Sequence, residues 1–165
     1  MVQKAEVAGQ EEQVVVFQLA GQTYGVDIGA VAEIIRMESI TRVPRAPAFV
    51  EGVLNLRGRI IPVLDLRKRF ELPEGERTRE NRIIIVEISG MTVGMIVDAV
   101  LEVLRIPVES IEPPPAVVDG VDVAYLRGIT LKGERMIILL NLEKILCQDE
   151  KEALEEAEAV MGAFA

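Results

Sequence analysis

The feature that most constrains the fold is an internal repeat within the 165-residue chain. The segment YGVDIGAVAEI, residues 24–34, aligns with VGMIVDAVLEV, residues 93–103, at an offset of 69 residues. Two further pairs of blocks align at an offset of 76 residues: 49–53 with 125–129, and 59–68 with 135–144. Self-similarity of this kind indicates one structural unit used twice. It predicts two similar small β-barrels packed as pseudo-symmetric lobes, since either half alone is too small to bury much apolar surface.

The composition and the turn residues favour strands over helices. Half of the residues are hydrophobic but only 4% are aromatic, so Val, Ile and Leu must fill the core. Val and Ile favour pleated strands. Turns are predicted at Gly21–Gln22 (type II′), Ser89–Gly90 and Lys132–Gly133. The chain therefore reads as about ten short strands.

Several segments carry less regular signals. AVAEIIRM predicts a short helix or a bent strand, because Val31, Ile34 and Ile35 have helical spacing. Pro62 lacks a backbone donor, so its strand should lie at an edge or carry a bulge there. IEPPPAVVDG should be a loop. The Ala- and Glu-rich tail after Cys147 should be a helix with Asp149 as its cap.

Charge and missing residue types exclude several classes of function. The net charge of -9 lacks the basic footprint that a nucleic-acid binder needs, and it disfavours binding to anionic membranes. No apolar run approaches about 18 residues, so no membrane insertion is expected. There is no histidine, and the single cysteine, Cys147, cannot form an intramolecular disulfide. Cys147 is predicted to be a small buried hydrophobe, and the cytosol is the simplest compartment.

An enzyme would have to rely on carboxylates such as Asp27, Asp65, Asp98, Asp119 and Asp122, which leaves a small acid–base enzyme as an alternative. However, Asp65 aligns in the repeat with Asn141, as a structural turn residue would. No phosphate-binding glycine motif occurs. No catalytic residue, cofactor or metal site is therefore predicted.

Four stretches together form a specific pattern: YGVDIGAVAEII, RVPRAPAFVEGVLNLRGRIIPVLDLRKRF, VGMIVDAVLEVL, and YLRGI followed by ERMIILLNLEKIL. They resemble the CheW family of bacterial chemotaxis coupling proteins. The resemblance implies a mostly β fold of two pseudo-symmetric five-stranded SH3-like barrels, with short helices and a C-terminal α-helix. It divides the chain into a flexible tail (1–12), a CheW-like domain (13–147) and the C-terminal helix (148–165).

The resemblance also implies a function. CheW-family adaptors join the cytoplasmic tips of methyl-accepting chemotaxis receptors to the regulatory domain of the histidine kinase CheA. The chain has no kinase or receiver segment, so it resembles the free-standing adaptor of the cytoplasm, located at receptor arrays on the inner face of the membrane. A scaffold of another two-component pathway, such as one for surface motility, is the alternative.

Candidate receptor-binding residues follow from the resemblance by position: Glu33, Asn55, Arg57 and Gly58. We expect Arg57 to contact the receptor by charge-assisted hydrogen bonds while Glu33 holds it in place. Val31 and Ile34 would supply apolar anchors beside them. Two alternatives stay open: Glu33 and Arg57 as a solvated surface pair, and Val31 and Ile34 as core residues. The resemblance does not identify the kinase-binding residues.

Overall fold

The computed structural model describes residues 10–115, 117–118 and 121–162. Within these residues the chain forms strands, two α-helices and four short 3-10 turns. The strands are β1 (Glu11–Leu19), β2 (Gln22–Asp27), β3 (Val31–Arg36), β4 (Val50–Leu56), β5 (Arg59–Asp65), β6 (Arg82–Ile88), β7 (Met91–Val97), β8 (Ala99–Pro107), β9 (Val117–Val118), β10 (Val121–Asp122), β11 (Leu126–Lys132) and β12 (Arg135–Leu140). The helices are α1 (Leu66–Arg69) and α2 (Gln148–Gly162), and the 3-10 turns are Ile28–Ala30, Val108–Ser110, Val123–Tyr125 and Leu142–Lys144.

Ten of the strands form two five-stranded sheets, each curled into a small barrel. The strand order is β11-β12-β2-β1-β8 in one sheet and β3-β6-β7-β5-β4 in the other. We name the first the terminal barrel, because both ends of the chain build it, and the second the middle barrel. The predicted mostly β fold with two five-stranded barrels and a C-terminal helix is confirmed. No helix in the described part of the chain is long and apolar enough to cross a bilayer.

The barrels do not coincide with the two halves of the sequence. The repeat relates β2 to β7, β3 to β8, β4 to β11 and β5 to β12. The first half contributes its hairpin β1–β2 to the terminal barrel, whereas its strands β3, β4 and β5 lie in the middle barrel. The second half does the reverse with β6–β7. Each barrel therefore combines a hairpin from one half with three strands from the other.

One glycine in each barrel allows that barrel to close. Beyond β3, Thr41 pairs with Val53 of β4 through two backbone hydrogen bonds of 2.8 Å. Beside this bridge β4 has a bulge, and Gly52 has φ +148° there. A Cβ at Gly52 would lie 2.1 Å from the carbonyl oxygen of Thr41. The terminal barrel repeats the device at Gly128, where a Cβ would lie 2.7 Å from a backbone oxygen.

The largest hydrophobic core lies between the barrels and not within either. Alternate residues of β1 divide between two cores: Val14 and Val16 face the terminal barrel's interior, whereas Val15, Phe17 and Leu19 face the middle barrel. Since both faces of such strands are buried, they read as continuous apolar runs. The inter-barrel core also contains Leu64, Ile84, Val86, Met95, Ile138, Leu142, Ile145, Leu146 and, from α2, Leu154.

One predicted turn needs correction, and the structure decides between the two alternatives for the segment that follows. The β1–β2 turn lies at Ala20–Gly21, one residue earlier than expected, and its φ angles of +50° and +80° indicate a type I′ turn. Of the two alternatives for the segment after Ile28–Ala30, the bent strand is correct, since the segment forms β3. A bulge in β3 between Val31 and Glu33 shifts its alternation by one residue, which produces the apparent helical spacing.

The strand with Pro62 is interior, so the expected edge position is wrong. β5 lies between β4 and β7, and the bulge is in β4. Pro62 is tolerated because the parallel pairing with β7 begins one residue later, at Val63. The expected proline loop contains the short ribbon β9–β10, with residues 116, 119 and 120 outside the described part.

The ends of the domain also differ from expectation. Strand β1 starts at Glu11, so residues 11–12 are not part of a tail, and residues 1–9 lie outside the described part. The β11–β12 turn is Gly133–Glu134. Cys147 is exposed and not buried, because it directly precedes α2, where its N–H donates to the Glu150 carboxylate at 2.9 Å.

Candidate partner-binding site

The turn between β4 and β5 displays Arg57 on a constrained backbone. Arg57 and Gly58 have φ values of +53° and +86°, as a type I′ hairpin turn requires. The Asn55 side chain fixes this turn, since its Oδ1 accepts the Gly58 N–H at 2.7 Å. A left-handed arginine costs about 1–2 kcal/mol in backbone energy. Ala20 and Ser89 have similar φ values in two other hairpin turns, so this backbone conformation belongs to the type of turn.

Glu33 holds the Arg57 guanidinium from the opposite edge of the sheet. Glu33 lies on β3 and Arg57 follows β4, and these are the two edge strands of the middle barrel. Their side chains form an ion pair and a hydrogen bond. Arg57 nevertheless remains 70% exposed, against 33% for Glu33. Surface pairs of this kind add only about 0.2–1 kcal/mol to stability, so the arrangement orients Arg57 more than it stabilises the fold.

Val31 and Ile34 lie on the other face of β3 from Glu33. Val31 pairs with Val86 and Ile34 with Ile84, and both partners belong to the inter-barrel core. Val31 is half-buried against that core, whereas Ile34 is 39% exposed at its rim. The structure thus groups Glu33, Asn55, Arg57 and Gly58 at one end of the middle barrel. Ile34 is available to a partner, and Val31 supports the core.

Strand β8 repeats part of this arrangement on the terminal barrel, with counterparts of Glu33 and Ile34, whereas the counterpart of Arg57 is Gly133. Glu102, the repeat counterpart of Glu33, forms an ion pair with Arg135 at 2.8 Å. Val103, the counterpart of Ile34, is 48% exposed, and Leu131 on the neighbouring hairpin is 68% exposed. The alignment of residues 24–34 with 93–103 already relates Glu33 to Glu102 and Ile34 to Val103, so the repeat carried the signal for both counterparts.

The carboxylates considered for catalysis serve as backbone caps. Asp27 and Asp122 each accept an N–H at 2.9 Å from the second residue of a following 3-10 turn. Asp65 caps α1 by accepting the Arg67 N–H at 2.9 Å, and Asn141 caps its own turn in the same way. The prediction that Asp65 is a structural turn residue is therefore confirmed. Asp119 lies outside the described residues.

Asp98 is the single residue between β7 and β8, where the chain passes from the middle barrel to the terminal barrel. Its carboxylate accepts two hydrogen bonds from Arg67, at 3.0 and 2.6 Å, and one from the Ala20 N–H at 2.9 Å. Asn81 donates to the Asp98 carbonyl at 3.0 Å. The hydrogen bond to Asp98 raises the pKa of Arg67 above its ordinary value. The network holds the crossover against the start of α1.

Helix α2 is fastened to the middle barrel by Arg69. The Arg69 guanidinium donates to both oxygens of Glu150, at 2.8 and 2.9 Å, and lies 4.3 Å from the centre of the Phe49 ring. Burial would raise the pKa of Glu150, but hydrogen bonds from Cys147 and Arg69 outweigh it and lower that pKa. The hydroxyl and N–H of Ser89 likewise lower the pKa of Glu143. Two carboxylates thus secure the C-terminal segment.

These features define a class of protein: a double SH3-like barrel with an oriented arginine and exposed aliphatic residues on its surface. A model of the CheW-like domain family matches residues 13–150. The chemotaxis protein CheW of Klebsiella aerogenes is 40% identical over 146 residues, which cover 88% of this chain and 86% of the relative. That of Treponema pallidum is 33% identical over 152 residues, covering 90% and 89%.

A solved structure is similar over the same region. The scaffolding protein TtCheW from Thermoanaerobacter tengcongensis superposes with a TM-score of 0.79 at 45% sequence identity, covering 86% of this chain and 91% of that protein. The chain therefore belongs to the CheW-like family. Its relatives are chemotaxis proteins, and the role that this family defines is that of a coupling adaptor in chemotaxis signalling.

Proposed function

We propose that this chain joins the cytoplasmic tips of methyl-accepting chemotaxis receptors to the regulatory domain of the histidine kinase CheA. The observation that carries the receptor contact is Arg57, held in a strained turn by Asn55, oriented by Glu33 and still 70% exposed. An exposed guanidinium offers several donors in a fixed geometry, which suits recognition of carboxylates or carbonyls on a partner. Ile34 adds an apolar anchor beside it.

The proposed roles within this surface differ from residue to residue. Arg57 touches the receptor by charge-assisted hydrogen bonds. Glu33 and Asn55 are positioning residues, since they act on Arg57 through the ion pair and the turn. Gly58 permits the turn because its φ of +86° is in the left-handed region, which glycine adopts without the strain that a Cβ would bring. Val31 acts indirectly, because it packs against the inter-barrel core and so keeps β3 in position.

The same proposal places the protein in the cytoplasm, at the receptor arrays, and assigns it no catalytic step. In this proposal the protein acts by holding two partner proteins in a fixed relative orientation. The described carboxylates that an acid–base enzyme would use are engaged in caps and ion pairs, which supports a binding role. The acidic net charge of -9 favours basic or neutral protein partners over nucleic acid.

Calorimetric titration against two partners tests this function. The first partner is the receptor's cytoplasmic hairpin and the second is the kinase's regulatory domain, both from the same organism. We expect binding to both, and we expect Arg57→Ala to weaken the receptor contact about tenfold or more, the loss of a charge-assisted hydrogen bond. The kinase contact should keep its affinity.

Arg79→Ala is the matched control, because Arg79 is exposed in the loop between α1 and β6. It removes the same charge far from the turn. Equal effects of Arg57→Ala and Arg79→Ala on receptor binding would show a general charge effect and would refute the role of Arg57. Binding to neither partner would refute the coupling function itself. Asn55→Ala should reproduce part of the Arg57→Ala defect through the turn alone.

A further inference from the structure

The segment between β3 and β4 contains a second strained arginine in an exposed turn. The Ala46 N–H donates to the Val43 carbonyl at 3.4 Å, with Pro44 and Arg45 at the central positions. Arg45 has φ +66°, as the third residue of a type II turn must, and glycine or asparagine normally occupies that position. Arg45 is one of five non-glycine residues with a positive φ in the described part of the chain, and its side chain is exposed.

This turn is also a local basic region in an acidic chain. Residues 41–48, TRVPRAPA, contain Arg42 and Arg45 and no acidic residue, although the whole chain has a net charge of -9. Both arginines are exposed. Within the described part of the chain, neither of them forms an ion pair. Two guanidinium groups are therefore available to carboxylates from outside.

A groove of about 510 Å³ separates the turn from helix α2. Arg45 and Glu156 are its charged residues, one from each wall. Ala153 and Ala157 are one helical turn apart on α2 and share a face, so that wall is flat and lacks long side chains. The rest of the lining is apolar and consists of Val43, Pro44, Ala46, Pro47 and Leu154.

We propose that this groove is a docking site for an amphipathic helix of a partner protein, with a carboxylate that pairs with Arg45 and a basic side chain that pairs with Glu156. The apolar floor would receive one stripe of the incoming helix, which is the usual way that helices bind grooves. The two walls of opposite charge select a helix with opposite charges along its two edges. The groove shares no residue with the Glu33–Arg57 surface, so it is a separate site.

The probe is a fluorescently labelled peptide of about 18 residues, long enough to be helical when bound. It carries Leu at helical spacing on one face, Glu along one edge and Lys along the other. A second peptide carries Lys on both edges. Fluorescence anisotropy measures each affinity. We expect Arg45→Glu to weaken the mixed-edge peptide about tenfold or more and to strengthen the all-Lys peptide.

Two further variants separate docking from general effects. Arg79→Glu makes the same charge change elsewhere and should alter neither affinity. Arg45→Gly removes the cation and relieves the backbone strain, so it should raise Tm while it weakens the mixed-edge peptide. Loss of binding together with a higher Tm cannot come from unfolding.

Several results would overturn the proposal. One is no binding of the mixed-edge peptide, and another is equal effects of Arg45→Glu and Arg79→Glu. A third is a dimer in sedimentation that Arg45→Glu dissociates, because the occupant would then be a second copy of this chain. Ala153→Trp fills the groove without changing charge, so unchanged peptide binding to that variant would also count against the site.

Discussion

Replacing Gly52 by alanine should open the middle barrel. The added Cβ would lie 2.1 Å from the Thr41 carbonyl oxygen and 2.7 Å from its carbon, far inside contact distance. Both atoms are backbone, so no side-chain rotation relieves the clash. Thr41 must move, and its two hydrogen bonds of 2.8 Å to Val53 must break. Those bonds close the barrel between the end of β3 and β4.

The expected loss of stability follows from these contacts. Each backbone hydrogen bond contributes about 1 kcal/mol net. The backbone at φ +148° costs a further 1–3 kcal/mol or so for a residue with a Cβ. Gly52→Ala should therefore lower the free energy of unfolding by about 3–5 kcal/mol, a large part of the 5–15 kcal/mol or so that a domain typically has.

Urea unfolding followed by circular dichroism measures this loss. Gly133→Ala is the matched control, because Gly133 has φ +64° but open space where its Cβ would be. It should cost only the left-handed penalty, about 1–2 kcal/mol. Gly128→Ala should behave like Gly52→Ala, since its Cβ would lie 2.7 Å from the Glu112 carbonyl. If Gly52→Ala costs no more than Gly133→Ala, the close-approach argument is wrong.

Three other predictions concern α2 and the candidate site. Glu143 and Glu150 have folded-state pKa values below the ordinary 4.5, so the stability they add is present above that pH and is lost as the pH falls below it. In chemical denaturation, Glu150→Gln should therefore reduce the loss of unfolding free energy between neutral and acidic pH. Leu154→Ala should cost about 2–5 kcal/mol in the same assay, because Leu154 is 2% exposed in the inter-barrel core. Arg57→Ala should change the free energy of unfolding by under about 1 kcal/mol, and a larger loss would show that the pair with Glu33 is structural.

The two-barrel fold could be predicted because the repeat, the turn glycines and the aliphatic runs all indicate it. Local errors arose where a backbone irregularity has no residue signature. Ala20 adopts φ +50° beside Gly21, and of these two residues only the glycine indicates a turn in the sequence. The β3 bulge between Val31 and Glu33 puts Val31 and Ile34, three residues apart, on the same face, which changes a period-two pattern into one that resembles a helix. Cys147 follows two buried residues, yet it is exposed because α2 starts immediately after it.

The candidate site was predictable to a different extent. Glu33 and Arg57 are 24 residues apart and lie on opposite edge strands, so only the resemblance to a family could place them together. Local chemistry explains Asn55, since a side-chain acceptor three residues before Gly58 is typical of a turn. The repeat relates Glu102 to Glu33, but Arg135 aligns with Arg59 and not with Arg57, so the ion pair of Glu102 with Arg135 had no signal in the alignment. The Arg45 turn had no signal beyond the proline before it.

The exchange of hairpins between the two halves has a consequence for synthesis on the ribosome. The middle barrel uses consecutive strands, β3 to β7, and is complete once Val97 has emerged. The terminal barrel needs β1 and β2, which emerge first, together with β12, which ends at Leu140. The apolar face of the hairpin β1–β2 that points into the terminal barrel therefore stays uncovered until β12 has been made. The middle barrel is complete earlier and can pack against the other apolar face of the hairpin. The strands that are made first can therefore be retained on its surface.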